Sequence, residues 1–182
     1  MTTLDPKCDL PRPGSILYEM IHDTMKQQRK TIKKFKFINN FFVNPLYRIG
    51  LLPLLGFSKT FLLLFTPGRN SGKRSVAPLE YHRINGVVHI FSGRGEKSDW
   101  FKNLRKNPDK VSIKLGFHSF KPKIEIIHDS KEKLEVIRWY VKTHPTLARY
   151  LFGWNKKTDD PKSGILEPLV DLIPIIRLHE AK

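Results

Sequence analysis

Asn85-Gly86 sits between two runs of strand-forming residues, and it constrains the fold more than any other feature of the chain. A two-residue turn of this type takes positive φ at both positions and matches the twist of an antiparallel hairpin. The expected strands on either side are residues 76–83 and 87–91. Residues 61–65 (Phe61, Leu62, Leu63, Leu64, Phe65) form an unbroken apolar run and read as a third, buried strand. Residues 111–115 and 124–127 read as a further strand pair around a loop at Gly116. Residues 172–178 read as a last strand, with Pro174 marking an edge or a bulge. Ser98 or Asp99 can cap a short helix that ends at Asn107 before Pro108, and residues 131–142 read as another helix. Helices do not alternate regularly with strands, which disfavours a doubly wound sheet. The class is α+β, a small antiparallel β-barrel with flanking helices.

Charge is concentrated in one stretch. The chain of 182 residues has 33 Lys and Arg against 17 Asp and Glu, a formal net charge of +16. Between Asp23 and Glu80 there is no acid, while eleven cations (Lys26, Arg29, Lys30, Lys33, Lys34, Lys36, Arg48, Lys59, Arg69, Lys73 and Arg74) stand there. An anionic partner is expected to meet the protein in this stretch. Its first part reads as a basic amphipathic helix. Ser15 caps it, apolar residues recur from Ile16 to Phe42, lysines occupy the other side, and Asn44-Pro45 ends it. Three readings stay open for this helix: packing on the body with a solvated lysine face, lying on an anionic membrane surface, or, on charge alone, nucleic-acid binding. The expected organisation is a tail and helix over residues 1–43 and a barrel over 44–182.

One cysteine, Cys8, excludes an internal disulfide and any zinc site built on several cysteines. The start of the chain has acids and prolines instead of an apolar signal core, and the apolar region 41–65 is broken by Pro45, Arg48, Pro53 and Lys59. A cytoplasmic protein, with membrane association through the helix as an option, is the expectation. The seven histidines make no metal signature, although His82 and His89 face one another across the expected hairpin.

Two Gly-rich basic loops carry the functional signal. Residues 68–74 (Gly68, Arg69, Asn70, Ser71, Gly72, Lys73, Arg74) follow the first strand, and Ser92, Gly93, Arg94, Gly95 follow the third. Backbone N–H groups in such turns can converge on a phosphate, and adjacent Arg or Lys adds charge. The first loop lacks the Walker A frame. Taken alone, the loop reads more readily as an exposed hairpin loop with a solvated charge cluster. Two such loops after neighbouring strands can line one cleft.

The run from Gly68 to Lys73, then Pro78-Leu79-Glu80-Tyr81, then Asp99-Trp100-Phe101-Lys102-Asn103-Leu104-Arg105-Lys106-Asn107-Pro108 resembles the deazaflavin-dependent nitroreductase family. Asn44-Pro45 and residues 173–178 look like that family's entry and exit motifs. The resemblance implies an FMN-binding split-barrel fold that holds reduced coenzyme F-420. That cofactor is anionic through its phosphate and oligoglutamate tail. It delivers a hydride to an electron-poor acceptor such as a quinone or enone. The resemblance assigns the anionic tail to Arg69, Asn70, Ser71, Gly72, Lys73 and Arg74. Val76, Ala77 and Pro78 flank the deazaflavin ring, and Ser92, Gly93 and Arg94 approach the ring or phosphate. Trp100 and Asn103 line the cofactor's edge, with an ordinary core aromatic and a helix-to-loop hydrogen bond as their alternatives. Tyr150 is the implied catalytic, acceptor-side phenol that donates a proton, and Trp154 packs on the acceptor. The chain departs from the pattern in having Asn70 for the usual Lys and Ser75 for the usual Arg, with Arg74 one position earlier. A one-residue move along a strand sends a side chain to the opposite face.

A second reading is the same barrel binding FMN, haem or a fatty acid. A third, a non-enzymatic nucleic-acid binder, rests on charge alone, and no nucleic acid is expected as a partner. The expected partners are a small-molecule hydride acceptor, an anionic membrane surface and a second copy of the chain as homodimer. Residues 156–164 read as an inserted, mobile loop.

Overall fold

A computed structural model describes residues 10–22 and 60–180. They divide into two compact units, one built on the sheet and one on helices. The long basic helix beyond His22, Asn44-Pro45 and Cys8 lie outside the described residues.

The sheet unit contains β1 (Phe61–Pro67), β2 (Arg74–Ile84), β3 (Val87–Phe91), α2 (Asp99–Lys106), β4 (Ser112–Leu115), β5 (His118–Phe120), β6 (Pro122–Ile126) and β7 (Ile175–Glu180). Its seven strands are antiparallel in the order β5-β4-β1-β2-β3-β7-β6. β5 and β6 are the two ends of that order, yet only Lys121 separates them in the chain. The ends are therefore tied together and the sheet curls on itself as a split barrel. His118 Nε2 on β5 lies 2.7 Å from Glu180 Oε1 on β7, a polar link across the seam.

The hairpin is as expected. Asn85 and Gly86 take φ of 51° and 82°, and the register sets Tyr81 against Ile90 and His82 against His89. Two expectations need correction. Strand β4 pairs with β1 and β5, not with β6, which instead pairs with β7. The intervening β5, with His118 and Ser119 exposed, is too short and polar to give a period-two signal. Strand β7 is not an edge but lies between β3 and β6. Pro174 precedes its first residue, where a missing N–H costs no ladder bond.

One face of the sheet makes the core. Leu62, Leu64, Val88, Ile90, Ile113, Ile176 and Leu178 are buried there, with Ala77, Leu79 and Tyr81 packed against them. Helix α2 adds Phe101 and Leu104, three apart and so on one side of the helix.

The helical unit contains α1 (Ile16–His22), α3 (Ser130–Thr143), α4 (Pro145–Phe152) and α5 (Glu167–Leu172). Asp129 caps α3 by accepting from Glu132 N–H at 2.7 Å. Gly153 ends α4 at φ 77°, and a Cβ there would meet Arg12 Cβ at 2.7 Å. Arg12 also donates to Gly153 O and pairs with Asp159 Oδ1 at 2.8 Å. Asp159 is buried, so part of the expected inserted loop is anchored in the unit's interior.

Candidate cofactor site

Residues 68–74 close a tight turn between β1 and β2. Gly68 N–H donates to Lys73 O, and Gly72 N–H donates to Gly68 O, each at 2.8 Å. A Cβ on Gly68 would stand 2.7 Å from Ser71 Oγ and 3.3 Å from the Lys73 carbonyl oxygen, which explains glycine there.

Helix α2 holds this turn at three points. Asn103 Oδ1, on a side chain 5% exposed, accepts from Arg69 N–H at 3.0 Å. Lys106 Nζ donates to Arg69 O at 3.0 Å. Arg69 Nη1 pairs with Asp99 Oδ1 at 3.0 Å. Ser92 Oγ, at the end of β3, donates to Ser98 Oγ at 2.8 Å. The Ser98 hydroxyl is thus engaged by β3 and makes no cap bond to its helix. The loops after β1 and β3 both converge on the first residues of α2.

Four of the backbone amides expected to form a cradle are already engaged. The N–H groups of Gly68, Arg69, Gly72 and Lys73 are spent on Lys73 O, Asn103 Oδ1, Gly68 O and Ser71 Oγ respectively. What faces outward is side-chain chemistry: Asn70, Ser71, Lys73 and Arg74 are exposed. Arg69 is half-buried, and its charge is shared with Asp99. This donor set, cations with two short polar side chains, suits a polyanionic tail held by side chains.

From the turn, β2 carries a strip along one face. Arg74 pairs with Pro67, Val76 with Phe65, Pro78 with Leu63 and Glu80 with Phe61, so these residues alternate away from the core side of Ala77 and Leu79. The Arg74 guanidinium lies 4.2 Å from the centroid of the Phe65 ring. Arg74 therefore shares a face with Val76 and Pro78, and Ser75, at the position of the usual Arg, lies on the other. At about 3.3 Å per residue, Val76, Pro78 and Glu80 follow Arg74 at roughly 7, 13 and 20 Å. The strip continues to His82, whose Nε2 is 3.5 Å from Glu80 Oε1 and whose ring meets Phe91 edge-on at 5.6 Å. Burial raises the Glu80 carboxyl above the ordinary 4.5.

Trp100 is half-buried, packs against the core and sits edge-on to Phe101. Asn103 makes the helix-to-loop bond. Gly93 and Arg94 cluster with the helical unit. In that unit Tyr150 is 64% exposed on α4, and Trp154 is 2% exposed with no hydrogen-bond partner for Nε1 among the described residues. Trp154 is thus a core residue of the helical unit. Sequence reasoning missed Glu80 and His82, although their period-two spacing from Val76 and Pro78 was legible. A groove of about 470 Å³ beside the Asn85-Gly86 hairpin is lined by Arg83, Val88, Phe120, His179 and Glu180, and none of the residues assigned above borders it.

The family model for F420H2-dependent quinone reductase matches residues 54–158, more than half of the chain. The chain belongs to this family. It is an oxidoreductase, a deazaflavin-dependent reductase. The reductase also overlaps solved structures. An F420-H2 dependent reductase, FDR-A, is 23% identical, with 66% of this chain and 95% of that one covered at a TM-score of 0.45. A domain-swapped dimer is 23% identical over 66% of this chain and 81% of its own, at 0.45. The haem storage protein HutZ of Vibrio cholerae is 14% identical over 71% and 88%, at 0.46. Likenesses of that size decide nothing about its chemistry. No curated protein matches. Among the described residues of the reductase no helix is long and apolar enough to cross a membrane, and no group of three or more potential metal ligands occurs.

Proposed function

We propose that the reductase transfers a hydride from reduced coenzyme F-420 to a quinone or a similar electron-poor enone, with the cofactor's anionic tail at residues 69–74 and its ring along Val76 and Pro78. The observation that carries this is the ordered strip on β2. Exposed cations stand at one end, half-buried apolar residues follow, and an acid stands about 20 Å along. The apolar part suits a flat ring system, and Lys73 and Arg74 oppose the tail charge. When bound, the cofactor supplies the hydride; the chain supplies orientation and charge. Asn103 acts through Arg69, fixing the turn that presents the cations.

Tyr150 belongs to the acceptor side on the strength of its motif, as an exposed phenol able to hydrogen-bond the acceptor. The basic stretch before residue 60 is assigned to an anionic membrane surface, where apolar quinones partition, and the enzyme works from the cytoplasmic face. A homodimer is the assembly this reading expects.

Titration with F-420 by fluorescence tests the proposal, with FMN as comparison. A saturable complex with F-420, weakened at least tenfold by the double change Lys73→Ala and Arg74→Ala, is the expected result. Tighter binding of FMN, or indifference to the double change, rejects it.

A further inference from the structure

Reduction of a quinone by hydride alone stops at a hydroquinone monoanion, so a proton source must stand near the acceptor. We propose that Glu80 is that source and that His82 positions it. The inference rests on the cofactor assignment just made and names a group which that assignment leaves unused.

The geometry is specific. Glu80 and His82 lie on the face of β2 that also carries Val76 and Pro78, two and four residues beyond Pro78. Opposite Glu80 on β1 is Phe61, an aromatic left 36% exposed at its side. His82, 7% exposed, covers the next position with its ring edge on Phe91. Glu80 Oε1 lies 3.5 Å from His82 Nε2, and partial burial of the carboxyl favours its protonated form, because the charged form loses water there. Phe61 and Glu80 are both partly exposed, which leaves surface for a flat apolar acceptor to contact beside the strip. His82 is the titratable group in contact with the carboxyl, and other charged and titratable groups share this face. His89 lies opposite His82 on β3, Arg177 of β7 bonds His89, and Lys114 of β4 lies opposite Leu63.

The step balances as follows. The acceptor gains a hydride, two electrons and one hydrogen nucleus, and becomes the monoanion. The Glu80 O–H bond breaks and a new O–H bond forms on the acceptor oxygen, giving hydroquinone and a carboxylate. The cofactor is oxidised and gives up one proton to water, and the carboxylate regains one from water. His82, 7% exposed and 3.5 Å from the carboxyl, fills the space beside it and limits its access to water; it does not itself react.

The test uses the full chain, reduced F-420 and a soluble naphthoquinone as probe acceptor, with Glu80→Gln, His82→Ala and Tyr150→Phe. F-420 binding is measured separately by fluorescence, and the Glu80 carboxyl is titrated by carbon-13 NMR. In the native chain that carboxyl should titrate above 4.5, and the rate should fall as pH rises through the same value. Glu80→Gln should leave F-420 affinity unchanged, lower the rate about 10²-fold and abolish this pH limb. His82→Ala should admit water and move both the NMR titration and the limb toward 4.5, with affinity kept. Tyr150→Phe should leave the limb in place. Unchanged rate and pH profile in Glu80→Gln with the cofactor bound overturn the role of Glu80 while the cofactor assignment stands. Failure of the native chain to bind F-420 overturns both.

Discussion

Asn103 shows how much a single buried amide can organise. It accepts from the Arg69 backbone N–H and, at 3.4 Å, from the Arg69 guanidinium, so a helix residue sets the path of a turn 34 positions earlier. Asn103→Leu leaves the buried Arg69 N–H without a partner, which costs about 1–3 kcal/mol. The expected outcome is a lower urea midpoint with an unchanged slope, together with weaker F-420 binding. Arg69→Ala should behave differently from the loss of Lys73. Asp99 already offsets the Arg69 charge, so Arg69→Ala should weaken F-420 binding by only a few-fold, against roughly tenfold for Lys73→Ala, as read in parallel titrations. Equal losses would show that the pair with Asp99 opens when the tail binds. Gly68 was legible as a turn residue. That its constraint is the closeness of Ser71 and Lys73, and not a positive φ, needed coordinates.

At the scale of elements, two segments remote in sequence close on one another in each unit. In the helical unit, Arg12 joins the segment before α1 to the chain after α4. Its guanidinium pairs with Asp159, and its backbone N–H donates to Phe152 O at 3.0 Å. Asp159 also accepts from Asn155 N–H and Thr158 Oγ1, and these bonds hold its carboxyl below the usual range despite burial. Asp159→Ala leaves Arg12 unpaired and should destabilise the protein by about 3 kcal/mol, seen as a lower melting temperature by circular dichroism. Nothing in the composition of residues 156–164 marked this anchor. Lys, Asp, Pro, Ser and Gly describe a solvated loop equally well, and burial of one acid depends on a partner about 150 positions away. The mispaired β4 and β6 have the same origin. Each has a valid strand pattern, but pairing is decided by the closure of the barrel through β5.

For the molecule as a whole, pH should matter on the acid side. His89 donates from Nδ1 to Val87 O at 3.0 Å and receives Arg177 Nε–H on Nε2 at 3.1 Å, an arrangement available only to the neutral ring. Burial, opposed by that backbone bond, holds its pKa below 6.5. The unfolded chain therefore binds more protons as pH falls through 6.5, and stability present above that value is lost below it. Glu125 is lowered from 4.5 mainly by His179, at 2.6 Å, and by Arg177, so its contribution is also present at neutral pH and lost at lower pH. Glu80 has the opposite sign, stabilising below 4.5 and ceasing to do so as pH rises through its elevated value. Melting temperatures measured from pH 7 down to pH 5 should fall, and His89→Gln should flatten that slope. A slope unaltered by His89→Gln would place the sensitivity elsewhere, His144 being the other histidine that burial lowers. The basic stretch belongs to this scale too. Replacing Lys26, Lys30, Lys33 and Lys34 by glutamine, which keeps the Arg12 anchor, should abolish sedimentation with anionic vesicles and leave F-420 affinity intact; equal sedimentation would end the membrane assignment.

The residues alone determined the strands at 61–65, 76–83 and 87–91, which the structure extends to 61–67 and 74–84, the hairpin, the helix ending at Asn107, and the family motif with its cations. All of these are local: alternation, turn chemistry and capping act within a few positions, where the chain's own order is the geometry. Only the tertiary structure decided which strands pair and that α2 clamps the cofactor turn. It also decided that four amides of that turn bond within the turn or to Asn103, and that Arg74 shares a face with Val76, Pro78, Glu80 and His82. Those facts depend on contacts between distant segments and on which side of a curled sheet is filled by core. That choice follows from packing the whole apolar set at once, and no single stretch of residues contains it.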